Sequence, residues 1–231
     1  GSLDKLLVQG ANINADINKL SLKDKRGIYI KDLVTSFSMT KTGMDLKPFA
    51  VETEESYIKG NIAMRYAEGD LKYFTEKVNL AVDLNKSKVA TNDLKYFYKE
   101  FGADNVLYLT TKATGTLNNF KLENTQLSDK FGSEIIGNFA LKNLFVKKNP
   151  FRVEANLNRL NITRSNAVAL LPNVLGKSLP VQLEKLGLLN LQGFVAYEDF
   201  YVDADVEATT NLGFARAEGG LRSVNQKQNA T

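Results

Sequence analysis

Cysteine, histidine and tryptophan are absent from the 231 residues, and proline occurs only four times. These absences remove disulfides, thiolate nucleophiles and imidazole bases, together with nearly every structural zinc arrangement. Carboxylates and lysines remain. The chain nevertheless contains no G-x-S-x-G elbow, no G-x-x-x-x-G-K-[ST] phosphate loop and no G-x-G-x-x-G after a strand, so it carries no enzyme signature and implies no cofactor. No run approaches the roughly eighteen apolar residues of a membrane-spanning helix, and the first residues lack the order of a signal peptide. Gly1-Ser2 reads as a cloning remnant at the head of a piece of a longer protein. The expected ordered body runs from residue 3 to 222, with 223–231 as a polar tail.

Thirty Lys and Arg against 26 Asp and Glu give a net charge of +4, which raises the question of nucleic acid. The cations are dispersed, however. Lys147-Lys148 is the only adjacent lysine pair, acidic residues lie between the others, and no basic stripe carries interleaved aromatics. Solvated strand faces account for the charge. The same reading suits Asp203, Asp205 and Glu207, whose alternation points them outward rather than around a calcium ion.

What the chain has in quantity is alternation with a period of two. Apolar residues recur at Ile13, Ala15, Ile17; at Ile58, Ile62, Met64, Tyr66; at Val78, Leu80, Val82, Leu84; and at Leu107, Leu109, Ala113, Leu117. They recur again at Ile135, Phe139, Leu141; at Phe151, Val153, Ala155, Leu157; at Leu189, Leu191, Val195, Tyr197; and at Phe200, Val202, Ala204, Val206. Each run predicts a strand with one apolar and one polar face. Asn118-Asn119 and Glu198-Asp199 supply turn chemistry, so successive strands are expected to pair as antiparallel hairpins.

Two segments have helical spacing instead. Leu94, Phe97, Tyr98 and Phe101 follow i, i+3, i+4, i+7, with Asn92 or Asp93 as the N-cap and Gly102 as the stop. Ala167, Leu170, Leu171, Val174 and Leu175 do the same between Ser165 and Gly176. Gly60-Asn-Ile-Ala-Met64 is restated as Gly137-Asn-Phe-Ala-Leu141. The restatement belongs to a longer unit of strand, short helix, hairpin and return strand, covering about 78–146 and again 151–221, preceded by a partial copy without a helix over 3–77. One continuous sheet built of repeats is the expected architecture.

An amphipathic sheet must dispose of its apolar face. Two short helices cannot cover it, which leaves a closed sandwich or an open trough, and an open trough needs an occupant.

The runs "NLAVDLNKSKVATNDLKYFYKEFG", "LTTKATGTLNNFKLENTQL" and "SEIIGNFALKNL", followed by "NAVALLPNVLGKSLPVQLEKLGLLNLQGFVAYEDFYVDADVEATTNLGFARAEGGL", resemble the repeated periplasmic region of TamB proteins, within the AsmA-like bridge-type lipid transport family. "SLKDKRGIYIKDLVTSFSMTKTGMDLKPFAVETEESYIKG" is similar to the segment that precedes such repeats. The resemblance implies a mostly β fold, a long curved antiparallel sheet forming a taco-like groove of repeating hairpin units with two short amphipathic helices. It further implies phospholipid acyl chains as cargo, an Omp85-type outer-membrane barrel as partner, and an inner-membrane anchor outside this segment, in the periplasm of a diderm bacterium. A scaffold that pairs with the barrel protein during translocation and assembly is the alternative. The expected groove lining is Ile62, Met64, Leu80, Val82, Leu107, Leu109, Leu117, Phe139, Leu141, Val153, Leu157, Leu189, Leu191, Val195, Val202 and Val206, each of which could instead be ordinary core.

Overall fold

A computed structural model describes residues 1–25, 27–146, 149–199 and 201–222. Lys147-Lys148, Phe200 and the 223–231 tail lie outside the described residues. The strands are β1 (Ser2–Gln9), β2 (Asn12–Lys19), β3 (Leu22–Lys23), β4 (Tyr29–Ile30), β5 (Asp32–Met39), β6 (Gly43–Glu52) and β7 (Tyr57–Arg65). They continue as β8 (Asn79–Ala90), β9 (Val106–Thr116), β10 (Asn119–Asp129), β11 (Glu134–Lys142), β12 (Arg152–Thr163), β13 (Leu188–Glu198), β14 (Tyr201–Thr210) and β15 (Gly213–Arg222). All except β3 and β4, which form their own small hairpin, belong to one 13-stranded antiparallel sheet in strict chain order. The sheet is not closed. Short turns such as Leu117-Asn118 pair a strand with its predecessor, and the longer links 66–78, 91–105 and 164–187 also return the chain beside the strand it left.

The sheet bends along a line through the middle of its strands. Register shifts occur at eight consecutive junctions, from β5–β6 to β12–β13. Each shift inserts extra backbone on one strand, bends it and increases its twist. Lys86 and Asn124 sit at two of these points with left-handed backbones, φ 47° and 51°. Because the shifts fall beside the same cross-strand row, their bends add into a crease, and the sheet becomes a taco-like groove.

The repeat is visible in the element order. A strand, an insertion and three further strands occur as β2–β7 with the β3–β4 hairpin inserted, as β8–β11 with α2 (Thr91–Leu94), and as β12–β15 with α3 (Arg164–Leu170) and α4 (Leu175–Ser178). Gly60 and Gly137 occupy the last strand of the first and second units. A Cβ on Gly60 would lie 1.9 Å from the Asp83 carbonyl oxygen, and one on Gly137 would lie 2.3 Å from that of Asn156. The restated phrase therefore marks where one unit crosses closely onto the first strand of the next.

Both helix expectations need correction. The first helix is only one turn, Thr91–Leu94, because Asn92 and Asp93 are drawn into side-chain pairs instead of capping. The Asn92 amide donates to Glu55 and to Asp104, while the Asp93 carboxylate accepts the hydroxyls of Thr53 (2.6 Å) and Ser56. Phe97 stands 64% exposed. The second breaks between α3 and α4 around Pro172, which cannot continue a helix comfortably. A helical segment that the sequence reading did not anticipate joins β7 to β8, a 3-10 turn over Asp70–Tyr73 and α1 over Phe74–Lys77.

Candidate functional site

Cross-strand partners share a face, so the registers place side chains in rows that run the length of the sheet. One row takes a residue from every strand. It begins with Val8, Ile13, Met39, Met44, Met64 and Leu80, passes Gly115, and continues through Phe120, Leu141, Val153, Tyr197, Val202 and Leu221. The next row starts at Ala15 and Phe37, crosses Leu46, Ile62, Val82, Ala113, Leu122 and Phe139, and ends at Ala155, Val195, Ala204 and Gly219. The third follows the crease and includes Phe49, Leu84, Leu157 and Val206. None of the three rows contains a charged side chain.

The crease does contain hydroxyls, and they are satisfied locally. The Thr111 and Thr125 hydroxyls pair at 2.8 Å, and the Ser87 hydroxyl donates to the Lys59 carbonyl at 3.2 Å while accepting the Lys59 N–H at 3.1 Å. All three side chains are buried. Having spent their hydrogen-bonding capacity on the protein, they leave the floor apolar toward any occupant.

Burial separates this arrangement from a closed sandwich. In a two-layer core the large inward side chains would be fully buried, yet Ile62, Leu109, Phe139, Leu157, Leu191 and Val195 are all half-buried. Their partial shielding comes from neighbours crowding together on the concave side. Opposite them, the convex face is polar, with shallow depressions of about 330 and 510 Å³ lined by residues such as Asn158, Arg159, Glu207, Lys121 and Asn156. Water suits those hollows better than an alkyl chain.

The sixteen expected lining residues separate into two groups. Ile62, Leu109, Phe139, Leu141, Val153, Leu157, Leu189, Leu191 and Val195 lie half-buried on the groove face, and Val202 is exposed near the sheet's end. The rest show more of a core role. Leu80 is buried with Tyr66 and Val78, and Met64, Val82 and Leu117 pack against them under the Asp70–Lys77 segment. Leu117 belongs to the β9–β10 turn rather than to a strand. Leu107 is buried beside Leu170 of α3, and Val206 is buried between its partners Gly193 and Ala217.

Several groove residues escaped the sequence reading, among them Phe37, Leu46, Phe49, Leu122, Leu127 and Leu160. A usable signal existed. In β6 the inward residues are Met44, Leu46, Phe49 and Val51, and in β10 they are Phe120, Leu122, Thr125 and Leu127, so each bulge replaces one step of two by a step of three. No group of His, Cys, Asp or Glu among the described residues could hold a metal ion, and no helix there is long and apolar enough to cross a membrane. Comparisons with family models, curated proteins and solved structures returned no match.

Proposed function

We propose that this chain carries phospholipids along its apolar groove, as a periplasmic segment of a bridge between the inner and outer membranes that supports outer-membrane biogenesis. The observation that carries the reading is the set of uncharged rows running along one open sheet, with no second large sheet over them and only short insertions covering part of their length. Exposing a sixteen-carbon tail to water costs on the order of 10 kcal/mol at about 0.8 kcal/mol per methylene. A floor of Ile, Leu, Val, Phe and Ala cancels most of that barrier. Since neighbouring strands present nearly equivalent surfaces, a tail meets no deep well and slides. No covalent step is required. The resemblance to TamB proteins supports the same function, location and inner-membrane anchorage.

Extraction of the purified protein with organic solvent, followed by mass spectrometry, tests the proposal. Near-stoichiometric phospholipid is the expected result. Val195→Glu, on the groove face opposite Ala155 and Ala204, should abolish that occupancy with little change in melting temperature, because its carboxylate still reaches water. In a sealed core the same carboxylate would unfold the protein, so a collapse in melting temperature rules out the open groove.

A second reading rests on the edges. Every residue of β1 and of β15 is exposed, which leaves two rows of strand hydrogen-bonding groups open to strand addition. An Omp85-type barrel protein is the partner that this alternative names. Capture of that protein by lipid-free chain would favour it.

A further inference from the structure

The segment linking β12 to β13 crosses the groove face instead of extending away from it. Leu170 faces Leu107, Leu127, Ile135 and Ile162, inward residues of β9, β10, β11 and β12, across a cavity of only about 20 Å³ that Ser128, Asp129 and Ser133 also line. That space holds roughly one water and no part of an acyl chain. At its far end the segment reaches the link between β8 and β9, where the Gly102 N–H donates to the Leu170 carbonyl at 2.8 Å. A Cβ on Gly102 would lie 1.8 Å from the Ala169 carbonyl oxygen, so only glycine permits this approach. The two insertions thus meet over one wall of the groove.

Attachment within the segment contrasts with attachment to its surroundings. Internally, the Arg164 guanidinium, whose side chain is 12% exposed, donates to the Leu179 carbonyl at 3.2 and 3.0 Å and to Glu184 at 2.9 Å, tying the start of the segment to its return. Its ties to the surroundings are all between uncharged groups: the Gly102–Leu170 bond, the Asn211 N–H donating to the Leu186 carbonyl at 3.0 Å, and the Asn166 amide donating to the Phe131 carbonyl at 3.2 Å and the Ser133 hydroxyl at 3.3 Å. Gly187 ends the segment with a left-handed φ of 65°, a conformation suited to a pivot. A unit braced by a guanidinium inside and held by uncharged hydrogen bonds outside can lift as one body.

We propose that residues 164–187 form a strap, shown here closed, that lifts to admit an acyl chain to the wall of Leu107, Leu127, Ile135 and Ile162. The inference rests on the lipid-groove reading and adds a gate to it. Closed, the strap shields those side chains with Leu170. Open, it exchanges that contact for the tail, so the empty groove hides part of its apolar surface from water.

The absence of cysteine makes a direct test clean. Ser133→Cys with Asn166→Cys places two thiols at positions whose native side chains hydrogen-bond at 3.3 Å, near enough for a short, reducible bis-thiosulfonate cross-linker to lock the strap where a direct disulfide does not close. Binding of a fluorescent palmitoyl phospholipid is then measured below saturation for the locked pair, the same protein after reduction, and wild type. Locking should lower occupancy by about tenfold or more, because apparent affinity scales with the fraction of competent conformer, and reduction should restore it. Equal binding by locked and reduced protein overturns the gate while leaving the groove standing. Absence of binding in all three overturns both.

Discussion

The middle of the sheet and its last two strands follow the same alternation but reach different states. From β8 to β12 every junction carries a register shift, insertions fold over both rims, and Val78, Ser87, Ala90 and Thr91 are completely buried. In β14 and β15 the pairing is regular, and Phe214 and Leu221 stand 66% and 76% exposed. Equivalent patterns therefore do not dictate equal burial. Bends bring neighbouring side chains together and insertions cover the rims, whereas the regularly paired edge strand β15, with a neighbour on one side only, stays open to water.

Glycine substitution offers the largest contrast between the two regions. Gly137→Ala drives a Cβ into the Asn156 carbonyl oxygen at 2.3 Å, whereas Gly219→Ala meets nothing within 4 Å and bears only the strain of its φ of 140°. Urea denaturation should show a loss of about 3 kcal/mol or more for the first and about 1 kcal/mol for the second. Equal losses would break the distinction.

Asp93→Ala should have an intermediate effect, confined to the middle. It removes the acceptor for Thr53 and Ser56, which are 7% and 3% exposed. The hydroxyls still accept backbone N–H groups, but leaving both buried donors without their carboxylate costs about 2 kcal/mol, with Asp93→Asn recovering part of it. Amide exchange should report the damage around residues 53–56 and 90–105, and unchanged protection there would contradict the assignment.

The smallest effect belongs to pH. Arg65 holds the Asp45 carboxyl below its usual range, with Lys47 assisting, and Arg152 does the same for Glu154, with Lys142 assisting. Both folded pKa values lie below the unfolded ones, so their stabilising contribution is complete at neutral pH. It declines as pH falls from roughly 5 toward 3. Arg65→Gln should flatten part of this acid limb in a series of melting temperatures. Lipid occupancy, by contrast, should stay level from about pH 6 to 9, because no carboxylate, amine or imidazole lines the three rows.

Much of this molecule was legible in the sequence, for an identifiable reason. Where two-residue alternation was unbroken, as in β9, β11 and β13, strand and face both followed from it. The repeat was also legible, since Gly60 and Gly137 mark the same corner of successive units. β6 and β10 were obscured because a bulge reverses the phase of alternation halfway along, so half of each strand looks wrong against the other. The stretch from Leu94 to Phe101 had helical spacing, but the bonds of Asn92 and Asp93 to residues far away in sequence redirected the chain after one turn. Coverage of Leu80 by the Asp70–Lys77 segment and of Leu107 by α3 depends on insertions crossing the sheet, which no local period encodes.

Sequential strand order makes the length of the groove a matter of counting. Twelve steps between thirteen strands, at about 4.8 Å each, span roughly 58 Å. Duplicating one unit of four strands would lengthen the groove by about 19 Å without altering its cross-section. Reach and bore are thereby set independently, one by the number of repeats and the other by the position of the crease along each strand.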